Sequence, residues 1–215
     1  MKFILISGGD IDRDFALDFL GKRSDAKIIA VDRGMNFCRE NHIAVDAIVG
    51  DFDSVDTSSL EYYEKSGAQI RRLCPEKDDS DTQSALQMAV GMGADSVEVL
   101  GATGTRIDHL WANVQLLAYA GKMGVTMSIW DAHNYITVHR ESFAIERQEQ
   151  FGKYVSFFAL GDSVPDVTLK GFKYPLNRHN LTNTDSGLSL SNEIIDKTAY
   201  VSFSCGMLLM IQSRD

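Results

Sequence analysis

The chain has 215 residues, of which 44% are hydrophobic and 24% are charged, so it can bury one large core or two smaller ones. Its formal net charge of −9 argues against nucleic acid as a partner, because a polyphosphate backbone would be repelled. The absence of a long apolar run argues against a membrane span or signal peptide, so we expect a cytoplasmic protein. Three widely spaced cysteines predict ordinary thiols rather than disulfides or a zinc site.

Up to about residue 131, short β-rich runs alternate with longer amphipathic segments that predict helices. The runs predict strands at 3–7, 27–32, 47–51, 69–73, 96–101 and 126–132. Strand–helix units of this length form right-handed crossovers, and therefore a parallel sheet with helices on both faces. We predict an α/β domain of the Rossmann-like type over residues 1–135.

Beyond that point helical spacing disappears, and runs with period-2 alternation take over. They predict strands at 135–140, 142–146, 154–160, 166–172, 187–192 and 199–214. Turn residues separate the runs, which is the pattern of a small antiparallel β-sandwich. We assign this second domain to residues 136–215.

Acidic residues of the first domain cluster at the carboxyl ends of its predicted strands. They are Asp32, Asp51, Asp53, Asp78, Asp79, Asp81 and Asp108. Ligands bind at that edge of an open parallel sheet, so at least five carboxylates are expected to converge on one crevice. Crowded like charges oppose folding unless a cation neutralises them, and Mg²⁺ prefers oxygen ligands of this kind.

Helix capping is the alternative for any one of these residues, because Asp and Ser are preferred N-caps. Asp53 or Ser54, and Ser80 or Asp81, would each serve as a cap. A helix end needs one acceptor, whereas these two loops carry two and three carboxylates. The surplus favours a metal site.

The segment 101–109 leads from a strand into a helix through glycines and small hydroxyl residues. Glycines permit a close backbone approach to phosphate, and a helix N-terminus offers N–H donors to an anion. The segment has neither a Walker A lysine nor a G-x-G-x-x-G fingerprint, which argues against the standard P-loop and NAD-binding classes. Arg106 supplies a donor fork for phosphate oxygens or a surface ion pair with Asp108. His109 fits packing or capping as well as ligand binding.

These motifs, taken in order, resemble those of the thiamine pyrophosphokinase family. The matching stretches of the first domain are 31–34, G-D-F-D-S at 50–54, D-x-[ST]-D at 78–81 and G-x-R-x-D-H at 104–109. In the second domain, G-F-K-Y-P-L at 171–176 and G-L-S-L-S-N-E at 187–193 resemble the family's thiamine-binding β-domain. The resemblance covers nearly the whole chain. It departs from the family at Arg33, where glycine is common, and at Ser80, where threonine is common. The departure at Arg33 leaves the adenine contacts open.

The resemblance implies a transferase that moves pyrophosphate from ATP to thiamine, giving thiamine diphosphate and AMP. It implies magnesium and catalytic carboxylates at Asp51, Asp53 and Asp81, with Arg106 and Asp108 contacting phosphate and ordering the site. The ATP-binding residues that we assign with it are Asp32, Gly34, Lys77, Asp78, Gly104 and Thr105. The residues that it implies for thiamine are Tyr174, Ser189, Ser191 and Asn192. It also implies a homodimer in which the α/β domain of one subunit and the β-sandwich of the other frame each active site.

The assignment of Tyr174 to thiamine binding is consistent with the charge of thiamine, because an aromatic ring attracts a cation placed over its face. We expect in-line attack of the thiamine hydroxyl on the β-phosphorus, with Asp51 or Asp81 accepting the proton. Two alternatives stay open: a pyrophosphokinase with another acceptor such as a pterin, and a non-catalytic nucleotide or thiamine sensor. Trp111 and Trp130 are expected in the core.

Overall fold

The structure is a computed structural model that describes residues 1–52, 57–73, 79–104 and 106–215. The chain divides into two compact units, Met1–Ala132 and His133–Asp215. No helix among the described residues is long and apolar enough to cross a membrane.

The described part of the first unit contains six parallel strands in the order β4-β3-β2-β1-β5-β6. The strands are β1 (Lys2–Ile6), β2 (Lys27–Val31), β3 (Ala47–Gly50), β4 (Gln69–Arg72), β5 (Ser96–Leu100) and β6 (Thr126–Trp130). The helices between them are α1 (Arg13–Gly21), α2 (Gly34–Glu40), α3 (Thr57–Ser66), α4 (Asp81–Gly91) and α5 (Ile107–Lys122). The predicted parallel α/β fold is confirmed.

The central strand β1 is buried on both faces, as expected for a parallel sheet covered by helices. Ile4 and Ile6 pack in one core cluster with Phe19 of α1 and Met35 of α2. Leu5 points to the opposite face because side chains alternate along a strand, and it too is completely buried. Burial of each such side chain contributes about 1.5–3 kcal/mol, which makes this sheet a rigid support for the loops at its edge.

The strand order creates a switch point between β1 and β5. The chain adds β2, β3 and β4 on one side of β1, and then returns to place β5 on the other side. The loops after β1 and β5 therefore leave the sheet in opposite directions and open a crevice at their carboxyl ends.

The second unit is antiparallel and contains two strand arrangements, β7-β13-β9 and β11-β10-β12-β8. Its strands are β7 (Asn134–His139), β8 (Phe143–Glu146), β9 (Tyr154–Ala159), β10 (Ser163–Lys170), β11 (Leu176–Thr182), β12 (Thr198–Ser202) and β13 (Leu208–Ser213). Phe157 and Leu208 of the first arrangement share a core with Leu169 and Val201 of the second. The predicted β-sandwich is confirmed.

Three details differ from the sequence prediction. Residues 187–192 form turns rather than a strand, with a single isolated bridge between Val155 and Asn192. Strand β11 was not predicted, because an edge strand with mostly solvent-facing polar residues has no apolar alternation. The run 199–214 is two strands, interrupted at Gly206, whose φ of 100° suits glycine.

The two tryptophans also differ from each other. Trp130 is partly buried and its ring lies 5.5 Å from that of Phe19. Trp111 is 55% exposed on α5, so its predicted core position is wrong. Within α5, Val114 and Leu117 are buried, whereas Trp111 lies near the start of the helix, where most side chains are exposed.

His139 in β7 lies in an environment that disfavours its charged form. Its ring stacks on Phe143 with 3.6 Å between centroids. The Nε2 atom is buried and has no hydrogen-bond partner among the residues that the structure describes. Burial accordingly lowers the pKa of His139 to about 4, from an ordinary value of 6.5.

We expect the free energy of unfolding to fall on acidification from pH 6.5 to pH 4, because the unfolded chain then binds a proton that folded His139 rejects. The loss reaches roughly 2 kcal/mol at pH 5 and vanishes above about pH 7.5. Urea unfolding of the wild type and of His139→Phe at pH 5 and pH 8 measures this pH-dependent part of the free energy of unfolding. The variant should lose this part of the pH dependence, and an unchanged pH dependence would contradict the assignment.

Candidate active site

A cavity of about 600 Å³ lies at the carboxyl ends of the first unit's strands. The turn Ser7–Gly9 after β1 and the segment that follows β5 form part of its wall, which places it at the switch point. Loops after β2 and β3 and the first turns of α4 and α5 complete the described lining.

Acidic side chains dominate this cavity. The aspartates among its described lining residues are Asp32, Asp51, Asp79, Asp81 and Asp108. Arg33 and Arg106 are the arginines of the same described lining, which also includes His109. An anionic ligand therefore needs these guanidinium groups, an added cation, or both.

Asp32 and Gly34 form the turn between β2 and α2. Asp32 has a φ of 48°, and its backbone N–H donates to the Val49 carbonyl at 2.8 Å. A Cβ on Gly34 would lie 1.9 Å from the carbonyl oxygen of Ile6. Gly34 is buried and is not among the lining residues, so its contribution is to let α2 start against β1.

Asp51 follows β3 and lines the cavity. The next residue, Phe52, holds the backbone turn that contains Asp51. Phe52 has a φ of 66°, which is unusual for a large side chain and costs on the order of 1–3 kcal/mol. Its ring is 8% exposed and packs in the same cluster as Ile48. Core burial of Phe52 therefore stabilises the conformation in which Asp51 reaches the cavity.

Ser80 is the N-cap residue of α4. Its hydroxyl accepts from the Gln83 backbone N–H at 3.2 Å. Asp81 occupies the first helical position and lines the cavity. The capping alternative therefore applies to Ser80, and the surplus carboxylate is Asp81.

Asp79 is a lining residue to which sequence reasoning gave no individual role. Its two oxygens accept from the side-chain amides of Gln83 and Gln87, the latter at 3.0 Å. Gln87 also lies 3.4 Å from the Tyr119 hydroxyl of α5. Asp79 precedes the Ser80 cap of α4, so no helical spacing rule predicts these bonds.

Arg106 and Asp108 form a two-point ion pair at the start of α5. Arg106 Nε donates to Asp108 Oδ1 at 3.1 Å and Nη2 donates to Oδ2 at 2.5 Å. The hydrogen bond from Arg106, aided by the His109 backbone N–H, lowers the pKa of Asp108 to about 2. The same pairing raises the pKa of Arg106. Asp108 therefore stays ionised and orients the guanidinium at the cavity rim.

Glycines bring the loops after β1 and β5 into contact. The Gly9 N–H donates to the Gly101 carbonyl at 3.0 Å, and a Cβ on Gly9 would lie 2.5 Å from that oxygen. A Cβ on Gly104 would lie 3.0 Å from the Gly9 Cα. Sequence reasoning selected Gly104 but missed Gly8 and Gly9, although two glycines directly after a strand were a usable signal.

In the second unit, Tyr174 is 55% exposed and Asn192 is buried beneath its backbone. Asn192 Oδ1 accepts from the Tyr174 N–H at 3.0 Å, and Nδ2 donates to the Tyr174 carbonyl at 2.7 Å. Ser189 is buried and its hydroxyl donates to the Phe157 carbonyl. Ser191 is exposed, and its N–H donates to the Ser156 hydroxyl at 2.9 Å. The contacts with Asn192 hold the backbone of Tyr174 in place, while its side chain remains exposed.

Two family descriptions match the chain. Residues 21–129 match "Thiamin pyrophosphokinase, catalytic domain", and residues 141–208 match "Thiamin pyrophosphokinase, vitamin B1 binding domain". Thiamine pyrophosphokinase of Bacillus subtilis (strain 168) is 34% identical over 218 residues, which covers all of both chains. The chain belongs to the thiamine pyrophosphokinase family.

Solved structures of this family agree with the fold. The crystal structure of thiamine pyrophosphokinase from Bacillus subtilis has a TM-score of 0.88 and 30% identity, with full coverage of both chains. That of thiamin pyrophosphokinase from Geobacillus thermodenitrificans has a TM-score of 0.85 and 31% identity, covering 100% of this chain and 98% of the other. The predicted family and enzyme class are confirmed.

Several residues predicted for a thiamine pyrophosphokinase site fall outside the described part of the chain: Asp53, Lys77, Asp78 and Thr105. Of the other residues predicted for magnesium, catalysis or ATP, those that line the cavity are Asp32, Asp51, Asp81, Gly104, Arg106 and Asp108. Within the described ranges, no group of three or more His, Cys, Asp or Glu side chains is arranged to hold a metal. The carboxylates present still fit Mg²⁺, which binds one or two protein carboxylates together with substrate phosphates and water.

We expect Asn192→Ala to destabilise the second unit by about 2–3 kcal/mol, because it leaves the Tyr174 N–H and carbonyl without their partner. It should also raise the KM for thiamine if Tyr174 contacts that substrate. Urea unfolding and initial rates measure the two effects. The matched control is Asn183→Ala, an exposed position whose backbone N–H makes the described contact with Asp162. Equal stability of the two variants would show that Asn192 has no such role.

Proposed function

We propose that this chain is a magnesium-dependent thiamine pyrophosphokinase that transfers pyrophosphate from ATP to the hydroxyl group of thiamine, releasing AMP. The observation that carries the proposal is the cavity at the switch point of a chain of this family. Five aspartates and two arginines are among its described lining residues. A site of this charge suits a polyphosphate that arrives with a divalent cation.

Asp51 and Asp81, with Asp53, are the residues that would hold Mg²⁺. When bound, the ion neutralises charge on the phosphates during transfer. Arg106 contributes a planar fork for phosphate oxygens, and Asp108 keeps that fork oriented through the two hydrogen bonds described above. Asp51 or Asp81 accepts the proton of the attacking hydroxyl, which reaches the β-phosphorus in line with the departing AMP.

We assign ATP binding and catalysis to residues 1–135 and thiamine binding to residues 136–215. Asp32, Lys77, Asp78, Gly104 and Thr105 are the proposed ATP contacts, and Gly34 supports them through its packing against Ile6. Tyr174 and Ser191 are the proposed thiamine contacts, while the hydrogen bonds of Ser189 and Asn192 to backbone make them supports for that loop. An exposed tyrosine ring suits stacking against a flat cation.

We also propose a cytoplasmic homodimer with active sites at the subunit interface. Ile107 and Trp111 support an interface near the cavity, since they are 78% and 55% exposed on α5. They lie one helical turn apart and therefore share a face. Large apolar side chains adjacent on a surface are typical of protein interaction sites.

Mass spectrometry after incubation with ATP, Mg²⁺ and thiamine tests the reaction. We expect thiamine diphosphate and AMP in equal amounts. Thiamine monophosphate with ADP would contradict pyrophosphate transfer. Turnover with a hydroxymethyl pterin but not with thiamine would indicate a different acceptor, and tight thiamine binding without turnover would indicate a sensor.

A further inference from the structure

We propose that Arg33 binds a phosphate group of the nucleotide, across the Gly8–Gly9 turn from Arg106. This inference rests on the proposed function and adds to it a second phosphate-binding guanidinium. The motif resemblance assigned Arg33 no role.

Strand order determines the relation between the two arginines. Strand β1 lies between β2 and β5 in the sheet. Arg33 comes shortly after β2, the turn Ser7–Gly9 follows β1, and Arg106 follows β5, and all three segments line the cavity. A phosphate chain lying over the central glycine turn would therefore have a guanidinium on each side.

Close packing brings Arg33 to this turn. A Cβ on Gly8 would lie 3.2 Å from the Cβ of Arg33, so glycine permits the approach. Arg33 Nη2 donates to the Gly8 carbonyl at 3.1 Å. This contact holds the guanidinium beside the glycine turn, although the side chain as a whole is exposed.

Charge pairing distinguishes the two arginines. Arg106 is bound at two points by Asp108, whereas Arg33 has no carboxylate within ion-pair distance in the described part of the chain. A guanidinium carries five N–H donors, and the bond to Gly8 uses one of them. Its charge is thus available to an anion in a cavity whose described lining includes five aspartates.

Arg33→Gln tests the inference, since it removes the positive charge and keeps a shorter polar side chain. We expect it to raise the Kd and the KM for ATP, measured with Mg²⁺, by roughly 10-fold, as for loss of one charge-assisted hydrogen bond. The KM for thiamine and the Ki of adenosine should stay within twofold of wild type, because neither ligand carries phosphate. Arg33→Lys should give an intermediate Kd for ATP, since it keeps the charge without the fork.

The control is Arg13→Gln, an exposed arginine of α1 that donates to Asn41 and does not line the cavity. An unchanged Kd for ATP in Arg33→Gln, in an enzyme that still makes thiamine diphosphate, would overturn the role of Arg33 alone. An equal loss of adenosine and ATP affinity would also overturn it. Failure of the wild type to bind ATP would overturn both this inference and the proposed function.

Discussion

Replacing Asp51 with asparagine is expected to lower kcat for thiamine diphosphate formation by roughly 10³-fold, the size of effect seen when one preorganised electrostatic contact to a transition state is lost. Asp51 lies at the carboxyl end of β3 and lines the cavity together with Asp81. Asparagine keeps the shape of the side chain but removes the negative charge that would hold Mg²⁺. The free energy of unfolding should change by no more than about 1 kcal/mol, since the backbone turn is held by Phe52.

Rates of AMP release with saturating ATP, Mg²⁺ and thiamine measure this effect. Asp25→Asn is the matched control, because Asp25 is 71% exposed and lies 3.8 Å from Lys2 on the surface. That variant should retain the wild-type rate. Near-normal AMP release by Asp51→Asn would show that the cavity carboxylates do not hold the ion, and would remove the main support for the proposed mechanism.

Gly34→Ala should destabilise the first unit by about 3 kcal/mol or more, through steric overlap rather than through loss of a catalytic group. Its Cβ would lie 1.9 Å from the Ile6 carbonyl oxygen and 2.7 Å from the Ile6 carbonyl carbon. Both atoms belong to the central strand β1, so relief requires movement of α2 or of the sheet. Movement of α2 would also displace Asp32 and Arg33, which line the cavity.

Urea unfolding compares this variant with Gly21→Ala. Gly21 ends α1, and a Cβ there would have no neighbour within 4 Å. Alanine in that helical position should be neutral or stabilise by up to about 1 kcal/mol. If both substitutions gave the same free energy of unfolding, the close packing of α2 on β1 would be wrong.

Much of the fold followed from periodicity. Alternating strand and helix patterns up to about residue 131 predicted the parallel sheet, because each unit needs a crossover of that length. Strand β11 was not predicted from the sequence, because its own residues are mostly polar. It forms a strand through its antiparallel pairing with β10. Trp111 was misplaced because a large apolar residue on a helix does not reveal which face it occupies.

The sequence predicted the aspartates of the candidate site better than the hydrogen bonds that hold the site's loops in place. Asp32, Asp51 and Asp81 could be placed together because the carboxyl ends of parallel strands meet at one edge. The contact of Asn192 with Tyr174 joins residues that are 18 positions apart, and no local pattern predicts it. The pairing of Asp79 with Gln87 likewise depends on how the loop before α4 folds back along that helix.

By itself, the sequence determined the fold class, the family and the edge of the sheet at which the carboxylates lie. These follow from local periodicity and from the residues adjacent to strand ends. Only the tertiary structure decided that β1 lies between β2 and β5, and hence that Arg33 and Arg106 flank one glycine turn. The physical reason is that strand order depends on which strands pair across the sheet. That choice is made by packing between distant segments rather than by the sequence of any one of them.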